Sequence, residues 1–477
     1  MTPFETFQQH YSLPATINGS PLVVHPLQIE AINTLAPLAN SGCFLDTGTG
    51  KTLVETVVAL YRKATLHLDT VVIIMPPLLL KQWGVWLRKI TPALSITEYR
   101  GTPREREAMS LNVDVVLVGI QIFKKEHDRF VRDLGSKRYM VAVDEANMLS
   151  NINSDNHQKV MDFAIGQPQD LLTGTPATNP MDAYGILKFT APGTYRSQRH
   201  FINTHVEEVD FYDKPTKFQN LDLLRENLKI NSHRILFEDM YPDAATPLFV
   251  PVEYDLEPAH ARLYRKLAEE ELLALPDGGK IDATVANNLI HALGQIVVNW
   301  GHFTGNPKDI SNAIHMIQGR LDELGDGKLV VFGQYRMSIA LITDYFKGVK
   351  ARAINGDVTP KAKERAVTDF VNDPACRLLV VHPKSGGVGL DGLQHVCHHM
   401  MFIEPVRSHR DFHQAVARLK RTGQKKKVVV SLPTATGTTQ VQAFRALLKN
   451  DETVGSIIRN ARDLRSAIFG DDVPAGK

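Results

Sequence analysis

The chain has 477 residues, 43% of them hydrophobic and 22% charged, with a formal net charge of +2. These values belong to a soluble globular protein too long for one domain, and they exclude a polycation, so any nucleic-acid surface must be a local patch. The three cysteines, Cys43, Cys376 and Cys397, make no even framework and no CxxC pair, and no apolar run approaches the roughly 18 residues of a membrane span, so a reducing compartment and no bilayer are expected.

The opening stretch, MTPFETFQQHYSLPATINGS, lacks a basic start followed by an apolar core and does not read as a secretory signal. The first motif is CFLDTGTGKTLVETVVAL, beginning at Cys43. Gly48 and Gly50 let backbone N–H groups turn inward without a Cβ clash. A helix starting at about Lys51 would aim its positive end at an anion. In the loop that Thr47 and Thr49 complete, Lys51 would reach the β- and γ-phosphates of a nucleotide, and the Thr52 hydroxyl would ligate Mg2+. Leu45 stands where the strict phosphate-loop string has its first glycine, so this is the shorter GxGKT form. Its bland alternative is a glycine turn capping a helix.

The runs TVVIIMPP, DVVLVGI, YMVAVDEA and DLLTGTP then predict strands. The third delivers Asp144 and Glu145 at its end. Asp144 would hold Mg2+, mostly through water, and Glu145 would position and polarise an attacking water. From about Thr190 to about Asp326 the strand signals thin. EPAHARLYRKLAEEELLALPDGG predicts a helix stopped by Pro-Asp-Gly-Gly, and ATVANNLIHALGQIVVNW predicts another. Strands return with KLVVFGQY, ARAING, CRLLVVHP, HMMFIEP and KVVVSLP. Runs that are apolar throughout suit parallel strands buried on both faces, whose carboxyl ends hold ligands in open α/β sheets. The expected organisation is α/β, with parallel-sheet lobes at 1–190 and 326–477 and a mostly helical linking section at 191–325. His395, Cys397, His398 and His399 in QHVCHHMMF invite a zinc reading. Neighbours along a strand face opposite sides and no second ligand pair lies at metal spacing, so that reading is rejected.

GTGKT, DEAN and LTGTPATN resemble motifs I, II and III of superfamily-two helicases, and the last is similar to the LTGTP-x-x-N form of Swi/Snf-type DNA translocase ATPases. HPLQIEAINTL resembles the adenine-contacting Q motif, with Gln28 as the reader. IIMPPLLLKQWGVWLRK resembles motif Ia, KLVVFGQYRMSIALITDYF motif IV and SGGVGLDGLQHV motif V. HQAVARLKRTGQ resembles motif VI, whose string Q-x-x-x-R-x-x-R-x-G-Q is matched by Gln414, Arg418, Arg421, Gly423 and Gln424. Asn147 stands where many relatives carry His, and EPVRSH replaces a Trp-Asn-Pro stretch.

The resemblance implies two RecA-like lobes in tandem that use ATP and Mg2+. It implies ATP contacts from Gln28, Thr47, Gly48, Thr49, Gly50, Lys51 and Thr52, with Gly389 and Gln414 in the second lobe. It implies nucleic-acid contacts from Lys81, Gly174 and Thr175 in the first lobe and from Lys384, Ser385 and Gly386 in the second. Arg418 and Arg421, three apart and expected on one helical face, would be arginine fingers, worth roughly 10³–10⁵ in rate in other NTPases. The implied function is ATP-driven translocation on double-stranded DNA in a bacterial cytoplasm, or a host cytoplasm if phage-encoded. Two rivals stand beside it. A strand-separating DNA or RNA helicase calls for a wedge hairpin, and no aromatic-tipped hairpin is read near motif V. A non-catalytic ATP-binding switch is disfavoured by intact Lys51, Asp144, Glu145, Arg418 and Arg421.

Overall fold

The computed structural model describes residues 1–444 except 18–19, 178, 212, 214, 243–246, 271, 275–279, 283–285, 387–389, 391, 407, 422 and 442. Gly389, an expected nucleotide contact, lies outside the described residues. The chain divides into two compact units, one within Met1–Asp243 and the other within Ala244–Glu452.

The first unit is built on seven strands: β1 (Asn40–Leu45), β2 (Thr70–Met75), β3 (Ile96–Tyr99), β4 (Val115–Gly119), β5 (Tyr139–Asp144), β6 (Gln169–Leu172) and β7 (Ser232–Ile235). They lie in the order β7-β1-β6-β5-β2-β4-β3, every pair parallel. The helices that matter here are α1 (Pro26–Leu35), α2 (Lys51–Thr65) and α3 (Leu80–Ile90). Alternation along the strands explains their unbroken apolar runs. Val72, Ile74, Val141 and Val143 face a core with Phe123, Phe130 and Phe163. Val71, Ile73, Met140 and Ala142 face an opposite core with Val54, Val57, Val58 and Trp83. The central strands β2 and β5 therefore serve two cores and have no polar face to show.

The second unit repeats the plan with β8 (Leu248–Tyr254), β9 (Leu329–Phe332), β10 (Arg352–Ile354), β11 (Leu378–Val381), β12 (His399–Phe402) and β13 (Val429–Ala435). Their order is β8-β13-β12-β9-β11-β10, again all parallel. Its helices include α4 (Pro258–Glu270), α5 (Ala286–Val298), α6 (Asn312–Glu323), α7 (Arg336–Tyr345), α8 (Pro360–Asn372) and α9 (His409–Val416). Val330, Phe332, Leu379 and Val381 pack on one side, and Leu329, Val331, Leu378 and Val380 on the other.

Within 191–325, β7 extends the first sheet and β8 the second. Both lie at sheet edges, and β8 alternates between more and less exposed residues, which is why neither reads as a continuous apolar run. The helix expected over EPAHARLYRKLAEEELLA ends at Glu270. Leu272–Ala274 is instead a short strand, paired antiparallel with Lys280–Asp282. The three cysteines are buried thiols, Cys43 on β1 of the first unit and Cys376 and Cys397 in the second.

Candidate active site

The phosphate loop joins β1 to α2 at the carboxyl end of the sheet. Gly48 and Gly50 have φ of 90° and 86°, so both positions need the left-handed backbone that glycine adopts without strain. Gly50 is the N-cap of α2 and brings no side-chain cap, which leaves the helix start to its backbone dipole. Thr49 Oγ1 donates to the Asp46 carbonyl at 2.7 Å, and the Lys51 ammonium donates to the Leu45 carbonyl at 2.7 Å. The Asp46 carboxylate accepts from the Phe237 N–H at 3.2 Å and lies 3.5 Å from Arg234. This ties the loop to the chain just after β7, and sequence reasoning had not singled Asp46 out.

Gln28 closes the loop from the other side. On α1 its Nε2 donates to the Thr49 carbonyl at 2.8 Å, and its Oε1 accepts the His25 N–H at 2.9 Å. One buried amide thus caps a helix and holds the loop. Gly174 presses on the same loop: a Cβ there would lie 3.3 Å from the Leu45 carbonyl and 3.6 Å from the Thr47 N–H nitrogen. The neighbouring Thr175 N–H donates to Thr173 Oγ1 at 3.1 Å. Thr52 sits in the first turn of α2, where its carbonyl accepts from Thr56 Oγ1 at 2.6 Å.

Asp144 ends β5, with only β6 separating it from the phosphate-loop strand. It is 7% exposed. Burial, and then the negative charge of Glu145, raise its carboxyl to about 6, against the pull of the Trp83 N–H and the Lys51 ammonium. Glu145 has φ 53° and ψ 50°, a left-handed conformation that costs a non-glycine residue roughly 1–2 kcal/mol. The Asn147 amide approaches Glu145 Oε2 at 3.4 Å, so the residue standing in place of the common His contacts the second acid. Two adjacent acids, one buried and raised, suit a divalent cation, whose charge would reverse that rise. The residues present therefore fit Mg2+.

In the second unit, Lys384, Ser385 and Gly386 form a helical turn, Pro383–Gly386, just past the carboxyl end of β11. The Lys363 ammonium of α8 donates to the Ser385 carbonyl at 2.5 Å, and burial together with the Arg418 charge lowers it to about 8. Gln414 lies on α9. The two arginines, expected on one helical face, are not helical: α9 ends at Val416, with Arg418 in a turn and Arg421 in a bend. Buried Leu419 and the Gln424 amide, which donates to the Cys397 carbonyl at 2.9 Å and reaches the Leu419 carbonyl at 3.4 Å, draw the chain off the helical path. Lys363 escaped the sequence reading because nothing in TPKAKERAV marks one lysine over another. Only the fold brings it to the Ser385 turn.

A phosphate loop and a strand-end acid pair on one parallel sheet, followed by a second such sheet, define a helicase-like ATP-hydrolysing enzyme. The chain belongs to the SNF2-related family: the SNF2-related domain model matches residues 27–297, and the helicase conserved C-terminal domain model matches 309–423. It is similar to chromodomain-helicase-DNA-binding protein 1-like of Danio rerio, at 24% identity over 85% of this chain and 41% of that protein. It is also similar to ATP-dependent helicase brm of Drosophila melanogaster, at 24% identity over 92% of this chain and 29% of that protein. The chain spans well under half the length of these relatives. Among solved structures, the Sulfolobus solfataricus SWI2/SNF2 ATPase core in complex with dsDNA is 20% identical, over 94% of this chain and 97% of that one, with a TM-score of 0.42.

Proposed function

We propose that this chain couples ATP hydrolysis to movement along double-stranded DNA. The observation that carries the reading is buried Asp144 with Glu145 beside it, one strand away from the glycine-held loop of Lys51. Thr52 and Asp144 would hold Mg2+, which would neutralise charge on the β- and γ-phosphates. Lys51 binds those phosphates, Gln28 reads the adenine edge, and Glu145 orients the attacking water. Arg418 and Arg421 would supply positive charge as the phosphoryl group transfers, and Gln414 would contact the nucleotide. The segments bearing the nucleic-acid candidates follow β2, β6 and β11, with Lys81 in the first turn of α3 and Lys384, Ser385 and Gly386 in a helical turn. Lys81, Gly174, Thr175, Lys384, Ser385 and Gly386 would grip phosphates there without reading bases. The DNA-binding named for one relative agrees with this. No described helix is long and apolar enough to cross a membrane.

Steady-state ATP hydrolysis, measured alone and then with duplex DNA, single-stranded DNA and RNA at matched salt, tests the reading. Stimulation chiefly by duplex supports it, and stimulation chiefly by single strands or RNA overturns it. Arg421→Ala should still bind nucleotide yet hydrolyse it roughly 10³-fold or more slowly. Loss of nucleotide binding would contradict its role.

One observation favours strand separation instead. The hairpin of Val206–Val209 with Pro215–Phe218 carries Phe211 beyond its first strand, 94% exposed. Glu207, Glu208, Asp210 and Asp213 on and beside that hairpin repel phosphates, which weighs against a wedge. ATP-dependent release of a strand from a forked duplex, lost in Phe211→Ala, would establish the second reading.

A further inference from the structure

Trp83 and Trp86 lie three apart on α3, and each turns its indole N–H toward the nucleotide machinery. Trp83, 1% exposed, donates from Nε1 to Asp144 Oδ2 at 2.8 Å. The Glu145 backbone N–H donates to Asp144 Oδ1, also at 2.8 Å. Trp86 donates to Thr56 Oγ1 at 3.2 Å, and that hydroxyl donates to the Thr52 carbonyl at 2.6 Å. One helix therefore reaches both residues proposed to hold the metal, Asp144 directly and Thr52 through Thr56.

The geometry at Asp144 is specific. The terminal torsion of an aspartate is soft and broadly two-fold, so packing alone fixes the carboxylate plane poorly. One donor on each oxygen fixes it, and each oxygen keeps a further lone-pair direction for a metal or a metal-bound water. The Glu145 N–H is set by the left-handed turn of its own residue, but it holds only Oδ1. The Trp83 indole supplies the second anchor from a different element. Trp83 is itself held rigidly by the apolar core on that face of the sheet, beside Leu80, Leu87 and Ile73. An indole N–H donates only, so it cannot compete for the metal.

We propose that Trp83 is a positioning residue that fixes the plane of the Asp144 carboxylate for Mg2+. The proposal rests on the assignment of Asp144 as a magnesium ligand. Partners that orient metal ligands are worth about 10–100-fold in metal affinity.

The test is the Mg2+ dependence of nucleotide binding, followed with a fluorescent ADP analogue in the full chain. Trp83→Phe keeps an aromatic ring in the core and removes the N–H. It should leave ADP binding in EDTA unchanged and raise the Mg2+ concentration needed for tight binding about 10–100-fold. An unchanged Mg2+ requirement in a folded Trp83→Phe would overturn the proposal. Asp144→Asn run in parallel separates the two assignments. If Asp144→Asn leaves the Mg2+ requirement untouched, the ligand assignment fails. If Asp144→Asn shifts it and Trp83→Phe does not, only Trp83 is wrong. Should Trp83→Phe not fold, the wild-type protein decides: its Trp83 indole N–H resonance should move on adding Mg2+ and ADP but not ADP with EDTA. A resonance indifferent to Mg2+ sinks the proposal.

Discussion

Gly50 carries two constraints at once. Its φ of 86° lies where L side chains are strained, and a Cβ would fall 2.2 Å from Gln28 Nε2. Gly50→Ala should therefore displace the amide that holds the Thr49 carbonyl and weaken nucleotide binding at least tenfold, measured by titration with a fluorescent nucleotide. Binding at the native affinity would mean that Gln28 yields without cost and is no part of the loop's support. Loop residues of this kind are legible in a sequence because their chemistry is local: DTGTGKT fits within a single turn and one helix start. The partner of Asp144 is not legible in that way. Trp83 stands 61 residues before it, and the two meet only because β2 and β5 are neighbours in the sheet. Lys363 and Ser385 are hidden for the same reason.

Helix α2 is anchored by more than its glycine cap. Arg62 near its end forms a two-oxygen ion pair with Asp170 of β6 at 2.8 Å, and donates to the Leu35 and Ala36 carbonyls at 2.9 and 3.1 Å. Ser41 of β1 donates to the same carboxylate. Both ionic side chains are essentially inaccessible to water. Burial and the Asp170 charge push the nearby Glu55 carboxyl well above its ordinary value. Removing one member of a buried pair strands the other charge. Asp170→Ala should cost about 3–5 kcal/mol and lower the melting midpoint of the first unit by roughly 6–20 °C in calorimetry. A shift of a degree or two would show that Arg62 finds other acceptors. The elements themselves were readable where strands are central and apolar. They were least readable at β7 and β8, whose edge positions tolerate polar residues, and at the end of α9. There the three-residue spacing of Arg418 and Arg421 suggests a helix that buried Leu419 and Gln424 bring to a close.

Across the whole molecule both units bury imidazoles whose pKa burial lowers, His157, His205 and His233 in the first. In the second, burial lowers His260 and His399 to about 4 and His409 to about 3, and the neighbouring His398 and His413 charges add to the last two. Their folded values lie below the ordinary 6.5, so the unfolded chain takes up protons first. Stability is full above about pH 6.5 and is lost as pH falls toward about 4. Glu404, raised by burial to about 7 in the same unit, acts in the opposite sense, becoming favourable as pH falls from 7 toward 4.5. Three imidazoles outweigh one carboxyl, so the unfolding midpoint of the second unit should fall steadily between pH 6.5 and 4. His260→Gln preserves a donor for the Ile296 carbonyl, which His260 meets at 2.8 Å, and should flatten part of that slope. A midpoint level across the window would mean that these rings gain protons without unfolding.

The buried thiols allow the units to be timed separately. Burial raises Cys43 well above the ordinary thiol value and Cys397 to about 12, so neither offers thiolate to an alkylating reagent until its surroundings open. Cys43 sits on the strand that feeds the phosphate loop, while Cys376 and Cys397 report on the other sheet. Alkylation kinetics therefore run two independent clocks in one unlabelled protein. A nucleotide gripped by the loop should slow the first clock directly, in proportion to how strongly it closes that strand.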